Sequence, residues 1–164
     1  MAQITFKGNP INTVGDLPAV GSPAPGFSVT GTDLGTVTND QFQGKSVLLN
    51  IFPSLDTGIC AASVRTFNER AAAGGATVLC VSKDLPFALS RFCGAEGIEN
   101  VITASAFRDS FGEDYGITMA DGPMAGLLGR AVVVIGADGN VAYTELVPEI
   151  VQEPNYDAAL AALQ

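Results

Sequence analysis

Histidine is missing from this chain, and that absence removes more chemistry than any other feature of its composition. Ser-His-Asp triads, Cys-His pairs, HExxH zinc sites and imidazole acid-base steps are all closed to it. Cysteine is scarce: there are three, at positions 60, 80 and 93. No two of them form a CxxC pair, which excludes a zinc ribbon and a paired dithiol motif, and neither a metal nor a cofactor is expected. An odd count argues against a secreted disulfide framework and leaves buried thiols or transient redox chemistry. Positive charge is short as well, with 8 Lys and Arg against 17 Asp and Glu and a net charge of -9. Without a basic surface there is little counterion release to gain, so nucleic acid is not an expected partner. No apolar run approaches the roughly 18 residues of a membrane span, so no membrane partner is expected. The start, "MAQITFKGNP", lacks the charged and then apolar character of a secretory signal, and a cytoplasmic location is expected.

What is present is enough for a sizeable core: 164 residues, 47% of them hydrophobic, read as a single domain over 1–164. "QITFKGNPINTVG" alternates apolar and polar residues on both sides of Gly8-Asn9-Pro10, a hairpin signal, and "FSVTGTDLGTVT" suggests a second hairpin after a Pro/Gly-rich linker. "KSVLLNIF" (45–52) is a continuous apolar run, "CAASVRTFNERAAA" is helical and closes on Gly74-Gly75, and "ATVLCVS" (76–82) is apolar again. That is a βαβ unit, hence parallel strands. "DLPFALSRFC" reads as a helix with Asp84 as N-cap, Pro86 in the first turn and Gly94 as its stop. A short strand near "NVITA" and a loop from Arg108 to Leu128 follow. Two antiparallel strands about Asp138-Gly139 come next, and then a closing helix capped by Asn155. The order βαβ, α, ββ, α is the thioredoxin-like arrangement: an α/β fold with a mixed central sheet flanked by helices, here with an N-terminal β-hairpin extension.

The chemistry concentrates in "FPSLDTGIC", Phe52 to Cys60. If Thr57 caps the helix, Gly58, Ile59 and Cys60 are its first three residues and the thiol falls at N3. Backbone N–H groups without helical partners converge there, and with the positive end of the helix dipole they favour a thiolate. Pro53 ends the strand, and the Thr57 hydroxyl is free to donate to or accept from a reacting oxygen. Cys60 also shares a helical stripe with Val64, Phe67 and Ala71, so a plain core role competes with the functional one. Cys93, in the last turn of its helix, is poorly placed as a first nucleophile but suited to attack a sulfur already oxidised. Cys80 lies inside a strand of buried character and reads as structural.

Pro53, Thr57 and Cys60 form the pattern Pro-x-x-x-Thr-x-x-Cys, which resembles the motif of the peroxiredoxins, and Ser54 and Asp56 resemble its thiol peroxidase subfamily. "DLPFALSRFC", "FRDSFGEDYG", "LLGRAVVVI" and "PEIVQEPNY" are similar to later blocks of that subfamily, so the likeness spans nearly the whole chain. It implies an atypical two-cysteine peroxiredoxin in which Cys60 is the peroxidatic thiol, Cys93 the resolving thiol and Arg130 the active-site cation. By itself an Arg at a strand start is more often solvated. The resemblance further implies hydrogen peroxide and organic hydroperoxides as substrates, a Cys60-Cys93 disulfide, reduction by thioredoxin and a homodimer serving antioxidant defence. The two cysteines lie at opposite ends of different helices, so their Cα atoms are expected beyond the roughly 7 Å that a disulfide spans. Gly58 departs from the subfamily, where Pro is common, which would loosen the helix start. Phe52, Leu55 and Met119 are candidates for an apolar pocket rim. Two rivals stay open: a thioredoxin-like oxidoreductase or thiol sensor without peroxidase turnover, and a non-enzymatic module binding an anion at the helix N-terminus.

Overall fold

The computed structural model describes residues 1–72 and 75–163. Seven strands form one mixed sheet and two more form a separate N-terminal hairpin. The hairpin pairs β1 (Gln3–Phe6) with β2 (Asn9–Asn12). Its turn is carried by Lys7 at φ 51 and Gly8 at φ 83, two successive left-handed residues of the kind that a tight hairpin needs. The sheet then uses β3 (Ser28–Gly31), β4 (Thr36–Thr38), β5 (Val47–Ile51), β6 (Thr77–Ser82), β7 (Ile102–Ser105), β8 (Ala131–Ile135) and β9 (Val141–Leu146).

Across the sheet the order is β4-β3-β7-β6-β5-β8-β9. β5, β6 and β7 run parallel, because α1 (Gly58–Arg70) and α2 (Pro86–Glu96) supply the crossovers that parallel neighbours require. β8 returns antiparallel beside β5, and β9 follows it as a hairpin. α3 (Phe111–Asp114) is a single turn within the expected loop, and α4 (Tyr156–Ala161) closes the chain.

The central strands are apolar on both faces because both faces are covered. Leu49, Ile51, Leu79, Val81 and Val133 pack with Phe27, Phe111 and Tyr115. Alternate residues Leu48, Val78, Cys80, Val132 and Val134 pack under Val64, Phe67 and Leu89 of α1 and α2. A third cluster seats Ile4 and Ile11 of the hairpin against Met119 and Ile150.

Two helix boundaries differ from expectation. α2 begins with Leu85 as N-cap and Pro86 at N1, and it runs through Gly94 to end at Gly97, whose φ of 66 supplies the left-handed C-cap. Asp84 therefore does not cap the helix, since its carboxylate is engaged elsewhere. The expected stop of α1 at Gly74-Gly75 falls partly outside the described residues, Gly74 being among those not described; the helix itself ends at Arg70, with Ala71 as C-cap. Among the described residues no helix is long and apolar enough to cross a membrane.

Candidate active site

The site forms where β5 ends. Phe52 and Pro53 leave the strand and stay buried, and Pro53 has no N–H to extend the ladder. Two hydrogen bonds to the Ser54 carbonyl, one from the Thr57 N–H and one from the Thr57 hydroxyl, each 3.2 Å, fold the next residues into a turn. Thr57 then caps α1 from an extended conformation (φ -101, ψ 142), its Oγ1 accepting the Cys60 N–H at 3.3 Å. Cys60 thus sits at N3, as the spacing predicts, and its sulfur occupies the positive end of a 13-residue helix.

Arg130, immediately before β8, supplies a second positive group. It is 2% exposed, and its Nη2 donates to the Cys60 Sγ at 3.3 Å. Nε donates to the Ile150 carbonyl at 2.8 Å, and the Ile150 N–H donates in turn to the Thr5 carbonyl of the hairpin at 2.9 Å. The hairpin is thereby the support on which the guanidinium rests. Nη1 is buried and, among the described residues, has no hydrogen-bond partner. An unpartnered buried guanidinium N–H is costly, so this atom marks where a polar ligand atom would be held.

A cavity of about 290 Å³ opens beside these groups, with Pro53, Thr57, Gly58 and Arg130 in one wall and Ile59, Met124, Ile150 and Val151 among its apolar lining. Phe6 and Lys7 of the hairpin complete its rim. Phe52, Leu55 and Met119 do not line it: they are 0%, 6% and 1% exposed and belong to the core. Phe52 and Leu55 lie within the motif and Met119 in the loop before β8, whereas the fold brings the apolar lining from Ile59 of α1, from the hairpin, from Met124 in that loop and from the segment after β9.

The other two thiols stand in unlike surroundings, and all three are free. Cys93 begins the last turn of α2, its carbonyl accepting from Gly97 and Ile98. Its sulfur lies 3.7 Å from the Thr103 hydroxyl on β7, and it faces a different cavity, bordered by Val37, Ser90 and Ile102. Burial pushes its thiol above the ordinary value, against a smaller opposing effect of Thr103. Cys80 is fully buried in β6 beneath an Asn50 amide donor 3.7 Å away, and burial pushes its thiol up to about 12. Such a thiol is held neutral, in keeping with a structural role.

Sequence reasoning missed Asp84 as a member of this site. Its carboxylate accepts from the Leu55 N–H at 2.8 Å, from the Ser54 hydroxyl at 2.8 Å and from the Ser82 hydroxyl at 2.7 Å. The only local signal is its place after a strand, which is what suggested a helix cap.

A thioredoxin-like sheet bearing one thiol at a helix N-terminus, under a buried arginine and beside an apolar cavity, defines a thiol redox enzyme without a CxxC pair. Comparison with known proteins sharpens that class. Residues 19–160 match the Redoxin family. Over 163 residues, 99% of each chain, the sequence is 82% identical to the thiol peroxidase of Mycobacterium tuberculosis. It is 58% identical over 164 residues to the thiol peroxidase of Corynebacterium glutamicum, again covering 99% of each. Among solved structures, the peroxiredoxin-like protein of Aquifex aeolicus superposes with a TM-score of 0.93 at 40% identity, covering 99% of this chain and 96% of that one. The chain belongs to the redoxin family, within its thiol peroxidases. It is a thiol-dependent peroxidase of the peroxiredoxin type, which sets aside both the oxidoreductase without peroxidase turnover and the anion-binding module.

Proposed function

We propose that Cys60 is the residue oxidised by peroxide, that Thr57 and Arg130 hold the peroxide oxygens, that Pro53 shields the sulfur, and that Cys93 resolves the oxidised form. The observation that carries this reading is the 3.3 Å contact from Arg130 to the Cys60 sulfur, with a second buried N–H of the same guanidinium left unpartnered. The Cys60 thiolate attacks the terminal peroxide oxygen, the O–O bond breaks, and the departing oxygen takes a proton to leave as water or alcohol. Cys60 becomes a sulfenic acid. Charge growing on the leaving oxygen is met by the guanidinium and by backbone N–H groups already fixed in place, which is where preorganised donors act most strongly.

Cys93 then displaces the sulfenic oxygen as water and forms a Cys60-Cys93 disulfide. The Cys60 sulfur is fully buried under Arg130, whereas Cys93 borders a separate cavity beside Thr103 of β7, so local unwinding at α1 and α2 accompanies this step. An external dithiol, thioredoxin or a similar protein, takes up the oxidising equivalents and returns both thiols. Hydrogen peroxide and organic hydroperoxides are both substrates, and the apolar lining supports the latter. The whole chain acts as one domain, as a homodimer and in the reducing cytoplasm, where a disulfide is transient.

The test is to mix reduced protein with a slight excess of cumene hydroperoxide and to follow peroxide and free thiols together. Peroxide should fall in proportion to protein, with loss of two thiols and a Cys60-Cys93 link in the peptide map. Cys60→Ser should consume nothing. Turnover that survives Cys60→Ser would overturn the assignment.

A further inference from the structure

The loop that sets Cys60 is bonded to a carboxylate that stands just before the helix that carries Cys93. Asp84 Oδ1 accepts from the Ser54 hydroxyl, and Oδ2 accepts from the Leu55 N–H and the Ser82 hydroxyl, all within 2.8 Å. Ser54 is also the residue whose carbonyl receives both bonds from Thr57, and its Oγ accepts the Asp56 N–H at 3.1 Å. The route from Asp84 to the Cys60 N–H therefore passes through two residues, Ser54 and Thr57. On its other side Asp84 stands two residues before Pro86, the first residue of α2.

Besides this carboxylate, two buried residues, Pro86 and Leu89, anchor that end of α2. Leu85 and Phe87 are 52% and 67% exposed, and within the helix only Pro86 and Leu89 are buried. Among the described residues, α1 and α2 are joined side chain to side chain by the Arg65–Glu96 salt bridge at the far end of α2, which lies in solvent, where such pairs hold weakly, and Asn68 of α1 accepts the Asn100 N–H just past α2 at 2.9 Å. A charged acceptor receiving three donors is by contrast a strong local tie.

Resting on the roles proposed above for Cys60 and Cys93, we infer that Asp84 is a positioning residue acting as a latch between the two thiol-bearing segments. Closed, it holds Thr57 and the first turn of α1 in the geometry that receives peroxide. Released, it frees both segments so that Cys93 can reach the Cys60 sulfenic acid. The latch therefore sets the partition of that sulfenic acid. One branch is condensation with the Cys93 thiol, which expels water. The other is attack on a second hydroperoxide, which yields the sulfinic acid and another alcohol.

The experiment uses Asp84→Ala and the near-isosteric Asp84→Asn, which keeps one acceptor for the Leu55 N–H. Reduced protein is mixed with cumene hydroperoxide, acid-quenched at intervals and weighed by mass spectrometry, which separates thiol, sulfenic acid, disulfide and sulfinic acid. Asp84→Ala should slow sulfenic acid formation by about tenfold. It should also speed disulfide formation and lower the sulfinic acid yield at high peroxide, with Asp84→Asn between it and the parent. A purely structural role would slow both steps together or leave the partition unchanged, and either result in the folded variants overturns the latch. Should Asp84→Ala not fold, Asp84→Asn alone decides by the same readout. Failure of the parent protein to form sulfenic acid or disulfide would instead overturn the Cys60 and Cys93 roles, and the latch with them.

Discussion

The guanidinium of Arg130 is tied through two of its three nitrogens: Nη2 donates to the Cys60 sulfur at 3.3 Å, and Nε donates to the Ile150 carbonyl at 2.8 Å. The side chain is thus aimed before any peroxide arrives, which avoids the reorganisation that a mobile cation would have to undergo. Lysine has a single donor nitrogen and cannot place two N–H groups at the fixed separation of Nε and Nη2. Arg130→Lys should lower the rate constant for cumene hydroperoxide by about 10²-fold, the usual loss for one preorganised donor. The fold should survive, because a single carbonyl loses its donor, at about 1–2 kcal/mol. Peroxide consumption and a urea midpoint measured on the same sample separate the two effects. Equal activity of the two proteins would remove Arg130 from the chemistry.

Burial holds the Cys93 thiol protonated to a higher pH than an ordinary cysteine. Condensation with the sulfenic acid needs the thiolate, so disulfide formation should accelerate as pH rises from neutral toward about 9. Acid-quenched time courses across that range check this. Cys93→Ser should complete one turnover and stall with Cys60 oxidised. A flat pH profile would mean that Cys93 is already ionised by its surroundings or that opening of the fold limits the step.

Much of this site was legible before any fold was known. The spacing from Thr57 to Cys60 is a local property of a helix start, and the capping bond is where that spacing puts it. The continuous burial of β5, β6 and β8 is legible as unbroken apolar runs, and the assignment of alternate residues to two cores follows from the strand itself. What escaped was set by partners distant in sequence. Asp84 looks like a cap because Asp is a favoured N-cap residue and Pro86 suits the first turn that would follow, but Ser54 and Leu55, about thirty positions away, outcompete the helix for its oxygens. Gly94 and Gly97 are alike as residues, and only the backbone distinguishes the one inside α2 from the one at φ 66 that ends it. The cavity lining from Phe6, Met124 and Ile150 is a product of three segments meeting, the hairpin, the loop before β8 and the segment after β9, which no local pattern announces.

Cys80 should make the fold sensitive to alkali. Its thiol is pushed up to about 12 by burial, from an ordinary 9.0. The folded state therefore favours the neutral form: this contribution to stability is complete below pH 9 and is lost as pH rises toward 12. In that window the unfolded chain releases a proton that the folded chain keeps, at about 1.4 kcal/mol per pH unit. Cys80→Ala, which adds a roughly constant cavity penalty, should show a flatter fall of its urea midpoint above pH 9 than the parent, with reductant present throughout. Parallel curves would show that the Cys80 thiol does not govern alkaline unfolding.

Gly58 offers a way to slow the unwinding that resolution requires. It is the first residue of α1, the position where proline is best tolerated because its N–H has no helical acceptor. A Cβ added there meets nothing within 4 Å. Gly58→Pro should therefore stabilise the protein by about 0.4–1 kcal/mol, chiefly by restricting the unfolded chain. Because the same restriction opposes opening of the first turn, the sulfenic acid of Cys60 should persist longer, and more of it should advance to sulfinic acid at high peroxide. A raised urea midpoint with a slower disulfide and a higher sulfinic yield is the expected set. A raised midpoint with an unchanged rate of disulfide formation would show that the first turn of α1 stays wound while Cys93 attacks.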